Sequence, residues 1–143
     1  MLFRSLLTND FFGPKIQLNA GSLTTKFSVD DSTPTAFTTM TYSGFYLGLA
    51  GEFPISEELP ISLGGKLNFF VNPSLSESPS SGSSSNTVNS FSFFMDYRMK
   101  PRFKIRGELM FENYSSDFSG AGARATSISH KMTTLMGGVQ YLF

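Results

Sequence analysis

In four of its extended segments this chain keeps its charged residues to one face of a two-residue repeat, and that confinement limits the available folds more than any other feature. From Phe103 the odd positions read Phe103, Ile105, Gly107, Leu109 and Phe111, while Lys104, Arg106, Glu108 and Glu112 hold even ones. Successive side chains of an extended strand point to opposite sides, so this is a strand with one apolar and one charged face. The pattern recurs upstream. Phe91, Phe93, Met95, Tyr97 and Met99 oppose Ser90, Ser92, Asp96 and Arg98. Leu59, Ile61, Leu63, Gly65, Leu67, Phe69 and Val71 oppose Ser62, Gly64, Lys66, Asn68 and Asn72. Phe37, Thr39, Thr41, Ser43, Phe45, Leu47, Leu49, Gly51 and Phe53 oppose Tyr42, Gly44, Tyr46, Gly48 and Glu52. No helical period competes with the alternation.

The remaining segments are less regular. Lys15 to Val29 alternates as Ile16, Leu18, Ala20, then changes phase at Gly21 to Leu23, Phe27, Val29, which predicts a bulge at the glycine. Leu2, Phe3, Leu6 and Leu7 predict a short first strand within Met1 to Gly13. Asp30 to Thr35, the low-complexity Pro73 to Thr87 and Ser115 to Thr126 read as loops, the last two long, and they alternate with short turns at Pro54 and Lys100.

Size and composition bound the rest. A chain of 143 residues is a single domain. Its 16 Phe and 13 Gly, with only 15% charged residues, favour strands and turns. Lys plus Arg equals Asp plus Glu at 11 each, which gives no reason to expect nucleic acid as a partner. The absence of cysteine excludes a disulfide scaffold, thiolate metal ligation and a cysteine nucleophile. No apolar run approaches the roughly 18 residues of a membrane helix, so any crossing of a bilayer must use a closed sheet. The opening M-L-F-R-S-L-L-T-N-D carries no apolar stretch or cleavage site of a signal peptide, which suggests a mature form or a start internal to a longer chain.

The stretch Ser127 to Phe143 closes the pattern, with Leu135, Gly137, Val139, Tyr141 and Phe143 on one side. It resembles the C-terminal strand of bacterial outer-membrane β-barrel proteins, whose assembly signal is matched by Gly138, Tyr141 and Phe143, with Met136 where that signal is usually polar. The resemblance implies an all-β, antiparallel, up-and-down transmembrane β-barrel in the bacterial outer membrane. Membrane lipid and the outer-membrane assembly machinery would be its partners. Six strands are clear; barrels of this kind close with even numbers from eight, so the chain would supply eight or form the C-terminal part of a larger barrel. Strands of about 9–11 residues, long loops at one end and short turns at the other fit that reading. So do aromatic girdles formed by Phe53, Tyr97, Phe103, Tyr141 and Phe143 at one end and Phe37, Phe69, Phe91 and Phe111 at the other.

In such a barrel Glu52, Asp96, Glu108 and Glu112 would meet Lys66, Arg98, Lys104 and Arg106 in a narrow polar lumen, where charges persist if paired or wet. With Lys100-Pro101-Arg102 as the whole turn, Met99 lies opposite Phe103, Arg98 opposite Lys104, Asp96 opposite Arg106 and Phe94 opposite Glu108. Asp96 is then expected to bind Arg106, leaving Arg98 or Lys104 to turn to Glu52.

No catalytic, cofactor or metal site is expected. His130 and Ser129 resemble the hydrolytic pair of barrel enzymes that trim lipid A, but neighbours in a strand point to opposite faces. The stretch S-G-A-G-A-R-A lacks the Gly-Lys-Ser/Thr of a phosphate loop, and Asp10, Asp30 and Asp31 match no calcium-loop spacing. The expected function is structural, adhesive or passive passage of small solutes. The alternatives are a lipid-modifying barrel enzyme and a soluble β-barrel that binds an apolar ligand.

Overall fold

The alternation builds one antiparallel sheet in which every strand lies beside its neighbours in the chain. The structure, a computed structural model, describes residues 2–5, 13–29, 39–56, 58–78, 82–120 and 127–141. The strands are β1 (Leu2–Ser5), β2 (Lys15–Phe27), β3 (Thr39–Pro54), β4 (Ile61–Ser78), β5 (Ser83–Lys100), β6 (Phe103–Ser119) and β7 (Ser127–Tyr141). Their order in the sheet is β1 to β7 without a crossover, so the fold is all-β and up-and-down. Among the described residues β1 and β7 do not pair, and the sheet is not closed.

Side-chain contacts between distant strands show that the sheet curls. Thr25 of β2 bonds Tyr114 of β6 at 2.9 Å, Tyr42 of β3 bonds Ser116 of β6 at 2.9 Å, and Lys104 of β6 reaches Glu52 of β3 at 3.0 Å. Phe27 of β2 stacks on His130 of β7, ring centroids 4.3 Å apart. The concave side is thus a filled interior. Polar and charged residues dominate it at the end near the β5–β6 turn, and a cluster of Met40, Tyr42, Val88, Tyr114 and Phe118 fills the other. The convex side is apolar: Phe45, Leu47, Leu49, Leu63, Leu67, Phe69, Phe93, Met95, Leu109, Leu135 and Val139 are all exposed.

Several expectations need correction. No bulge occurs at Gly21, because β2 pairs with β3 without interruption from Lys15↔Glu52 to Phe27↔Met40. Leu23 and Phe27 stay on the inward face begun by Lys15; the interior turns apolar there, which in sequence looks like a change of phase. Gly21 instead leaves room for Tyr46, whose hydroxyl would lie 2.7 Å from an added Cβ. One bulge does form in β4, where Ser43↔Ser74 and Phe45↔Val71 leave two β4 residues against Gly44. Asn72 takes a positive φ of 47° there. Pro73 sits in the bulge, where its missing N–H costs no ladder bond.

The stretch from Pro73 to Thr87 is accordingly not one long loop, since β4 runs on to Ser78 and β5 begins at Ser83. Likewise β6 continues through Ser115 to Ser119, and residues 121–126 lie outside the described residues. Both extensions are Ser-rich and read as loops by composition, but pairing with a neighbouring strand (β3 for β4, β6 for β5) satisfies their backbones whatever the side chains. The β5–β6 turn is tighter than expected, with Lys100 rather than Met99 opposite Phe103, but a register shift at Met99 restores the expected pairs Arg98↔Lys104, Asp96↔Arg106 and Phe94↔Glu108. The β4 ladder starts at Ile61 rather than Leu59. Asp10, Asp30, Asp31 and the loop Asp30 to Thr35, together with Phe37 and Phe143, fall outside the described residues.

Candidate functional site: the charge network of the interior

The inward phase of β2, β3, β5 and β6 brings five charged side chains together near the β5–β6 turn. Arg106 donates from Nε and Nη2 to the two oxygens of Asp96, each at 2.7 Å. Lys104 donates to Glu52 at 3.0 and 3.3 Å and also meets the Asp96 carboxylate. Glu52 in turn lies 3.5 Å from Arg106 Nη2 and 4.0 Å from Lys15. Cations and carboxylates thus alternate, and the side chains of Glu52, Asp96 and Lys104 are each 2% exposed. Ions removed from water to this extent persist only when each has its counter-charge and hydrogen bonds.

Phe94 braces this layer. It is the one bulky apolar residue on the inward face of β5 between Ser90 and Asp96, and it lies opposite Gly64 of β4. A Cβ at Gly64 would run into the Phe94 ring and the Gly51 carbonyl oxygen, so the glycine makes room for both. The Arg106 guanidinium carbon then sits 3.7 Å from the ring centroid, which fixes the plane of the fork that grips Asp96.

Above this layer Lys66 pairs with Glu108 at 3.0 Å, and Ser92 donates to the same carboxylate oxygen at 2.6 Å. Asn68 donates to Ser90 at 2.9 Å. The Asn19 and Asn68 amide oxygens both approach Gly48, whose missing side chain leaves space for them, and neither oxygen has a hydrogen-bond partner among the described residues. Higher still, Tyr114 donates to Glu112 at 3.0 Å, while Tyr42, Ser116, Asn86 and the Pro73 carbonyl form a chain of bonds of 2.9, 2.7 and 3.2 Å. Phe27 packs edge-on against Tyr42 and Tyr114. Burial lowers the pKa of His130, which lies well beyond the last apolar outward residue of its strand, Leu135.

Of the eight residues expected in the lumen network, Glu52, Asp96, Lys104 and Arg106 form one cluster and Lys66 and Glu108 a second. Glu112 meets a phenol rather than a cation, and Arg98 stands exposed beside the turn, opposite Lys104. Lys15, Phe94 and Tyr114 were missed, although each keeps the inward phase of its strand. Gly138 lies opposite Arg106, and Tyr141 is outward and exposed opposite Phe103. Ser129 faces outward and bonds Asn113 at 3.2 Å while His130 faces inward, so the two do not form a hydrolytic pair. Among the described residues no group of His, Asp and Glu could hold a metal. No protein-family model, curated protein or solved structure matches the chain.

Proposed function

We propose that this chain is an integral β-barrel protein of the bacterial outer membrane, non-enzymatic, whose role is structural or adhesive. The observation that carries the reading is its inverted distribution of polarity. Glu52, Asp96 and Lys104 are buried while Phe45, Leu47, Phe69, Phe93 and Leu135 are exposed, the reverse of what a sheet in water does. A continuous exposed apolar surface of this kind needs an apolar medium.

The dimensions support the same medium. The outward apolar runs Phe45–Phe53, Leu63–Val71, Phe91–Met99 and Phe103–Phe111 cover nine residues each. At about 3.3 Å per residue and a tilt near 40° such a run stands about 20 Å tall, close to the roughly 25 Å band of a transmembrane barrel. Aromatic residues mark its ends, with Phe53, Tyr97 and Tyr141 at one and Phe45, Phe69 and Phe111 at the other. Beyond the band, outward positions change to polar residues such as Ser85, Thr87, Asn89, Asn113, Ser115, Asp117 and Ser129, with the cations Lys26 and Lys131 among them. These polar extensions rise about 15 Å farther and would offer a surface for adhesion. An interior occupied by ion pairs and aromatic rings favours those roles over passage of solutes.

Flotation tests the reading. The refolded protein is expected to rise with lipid vesicles through a density gradient and to migrate differently on gels when unheated. A protein that stays soluble and monomeric without detergent or lipid would refute it.

A further inference from the structure

Where β5 turns into β6, the apolar band ends in a concave surface. Met99, Lys100, Pro101, Arg102, Phe103 and, from β7, Tyr141 line a depression of about 580 Å³. That volume is within the range of small-molecule sites. Its lining has two characters. Met99 and Tyr141 continue the exposed outward face, whereas Lys100 and Arg102 are exposed at the tip of the turn.

We propose that this depression binds one anionic glycerophospholipid, with the phosphate held by Lys100 and Arg102 and an acyl chain laid along Met99, Phe103 and Tyr141. The inference rests on the membrane reading above. The two cations flank Pro101 in a two-residue turn, which fixes their separation, and among the described residues neither forms an ion pair. An inorganic phosphate would satisfy the cations but leave the apolar half of the depression wet, so the lining favours a lipid over the free anion. At the opposite end the exposed cations Lys26 of β2 and Lys131 of β7 stand on separate strands among Ser, Thr and Asn, whereas Lys100 and Arg102 sit two residues apart beside an apolar depression.

A cation at a membrane surface strengthens binding to anionic lipid about fivefold, so two give roughly 25-fold. The test compares the folded protein in vesicles of phosphatidylcholine alone and with one fifth phosphatidylglycerol, then counts lipids retained after transfer to detergent by native mass spectrometry. One phosphatidylglycerol per protein should be retained at least tenfold over phosphatidylcholine. A Lys100→Gln, Arg102→Gln variant should still float with both vesicles but lose that preference, and inorganic phosphate should not displace the lipid. Equal retention of the two lipids, an unchanged preference in the variant, or displacement by inorganic phosphate would each overturn the site while leaving the membrane reading intact. Failure to float with either vesicle would overturn both.

Discussion

Asp96 and Arg106 face each other across β5 and β6 and share two parallel hydrogen bonds of 2.7 Å, with the guanidinium lying on Phe94. The pair is the pivot of the interior, because Asp96 also meets Lys104 and Arg106 also approaches Glu52. Removing one partner leaves the others with excess charge away from water. Asp96→Ala should therefore cost about 3–5 kcal/mol, well above the 0–1 kcal/mol of an exposed pair. A double-mutant cycle with Arg106→Ala, read by urea unfolding in vesicles, should give a coupling above about 1 kcal/mol. Additive losses would mean that the fork contributes nothing beyond its two parts.

The faces of β6 give a second expectation. Leu109 points outward and Met110 inward, and they are adjacent in sequence. Arg at Leu109 should destabilise the inserted protein by about 2–4 kcal/mol, while Arg at Met110, beside the carboxylates of the interior, should cost distinctly less. Reversal of that order would place the lipid on the other side of the sheet.

Space at Gly64 makes a third. Gly64→Ala should push Phe94 from under Arg106, press on the Gly51 carbonyl and cost about 1–3 kcal/mol or more, as overpacking does in other cores. Gly107→Ala meets nothing within 4 Å and should be nearly neutral. Adding Phe94→Leu to Gly64→Ala should recover part of the loss by thermal melting. An equal effect of alanine at Gly64 and Gly107 would contradict the packing described.

Acidification should weaken the outer end of the interior. Burial holds the His130 imidazole below its ordinary 6.5, so the unfolded chain takes up a proton before the folded one does. Stability owed to the neutral ring is then complete above about pH 7 and declines as pH falls through 6.5 towards the folded value. The difference in melting temperature between the native protein and His130→Gln should change between pH 7.5 and 5, with the native protein losing more. A constant difference would mean that the ring titrates as it does in water.

The sequence made the faces legible, and with them much of the site. Confinement of charge to even positions of β6 placed Lys104, Arg106 and Glu108 inside, and counting back from the turn placed Asp96 opposite Arg106 and left Arg98 or Lys104 for Glu52, of which Lys104 makes the contact. What alternation could not convey was the length of the strands. Ser-rich stretches such as Ser83–Thr87 carry no hydrophobic signal and extend β5 only because β6 offers a partner to Ser119. The aromatic half of the interior was hidden for a related reason: Phe27, Tyr42 and Tyr114 keep the inward phase, but apolar residues on a face otherwise polar look like a slip of register. Pro73 misled differently, because a proline ends most strands and here occupies a bulge.

The central claim is that the odd-numbered face of β6 meets lipid and the even-numbered face meets the interior. The chain has no cysteine, so single cysteines can be placed from Phe103 to Glu112 and labelled with nitroxides in vesicles. Collision with oxygen, which concentrates in lipid, should rise at 105, 107, 109 and 111 and fall at 104, 106, 108 and 110, while a water-soluble nickel chelate reaches none of the odd positions. Free access of the nickel chelate to positions 107 and 109, or oxygen access without a two-residue period, would contradict it.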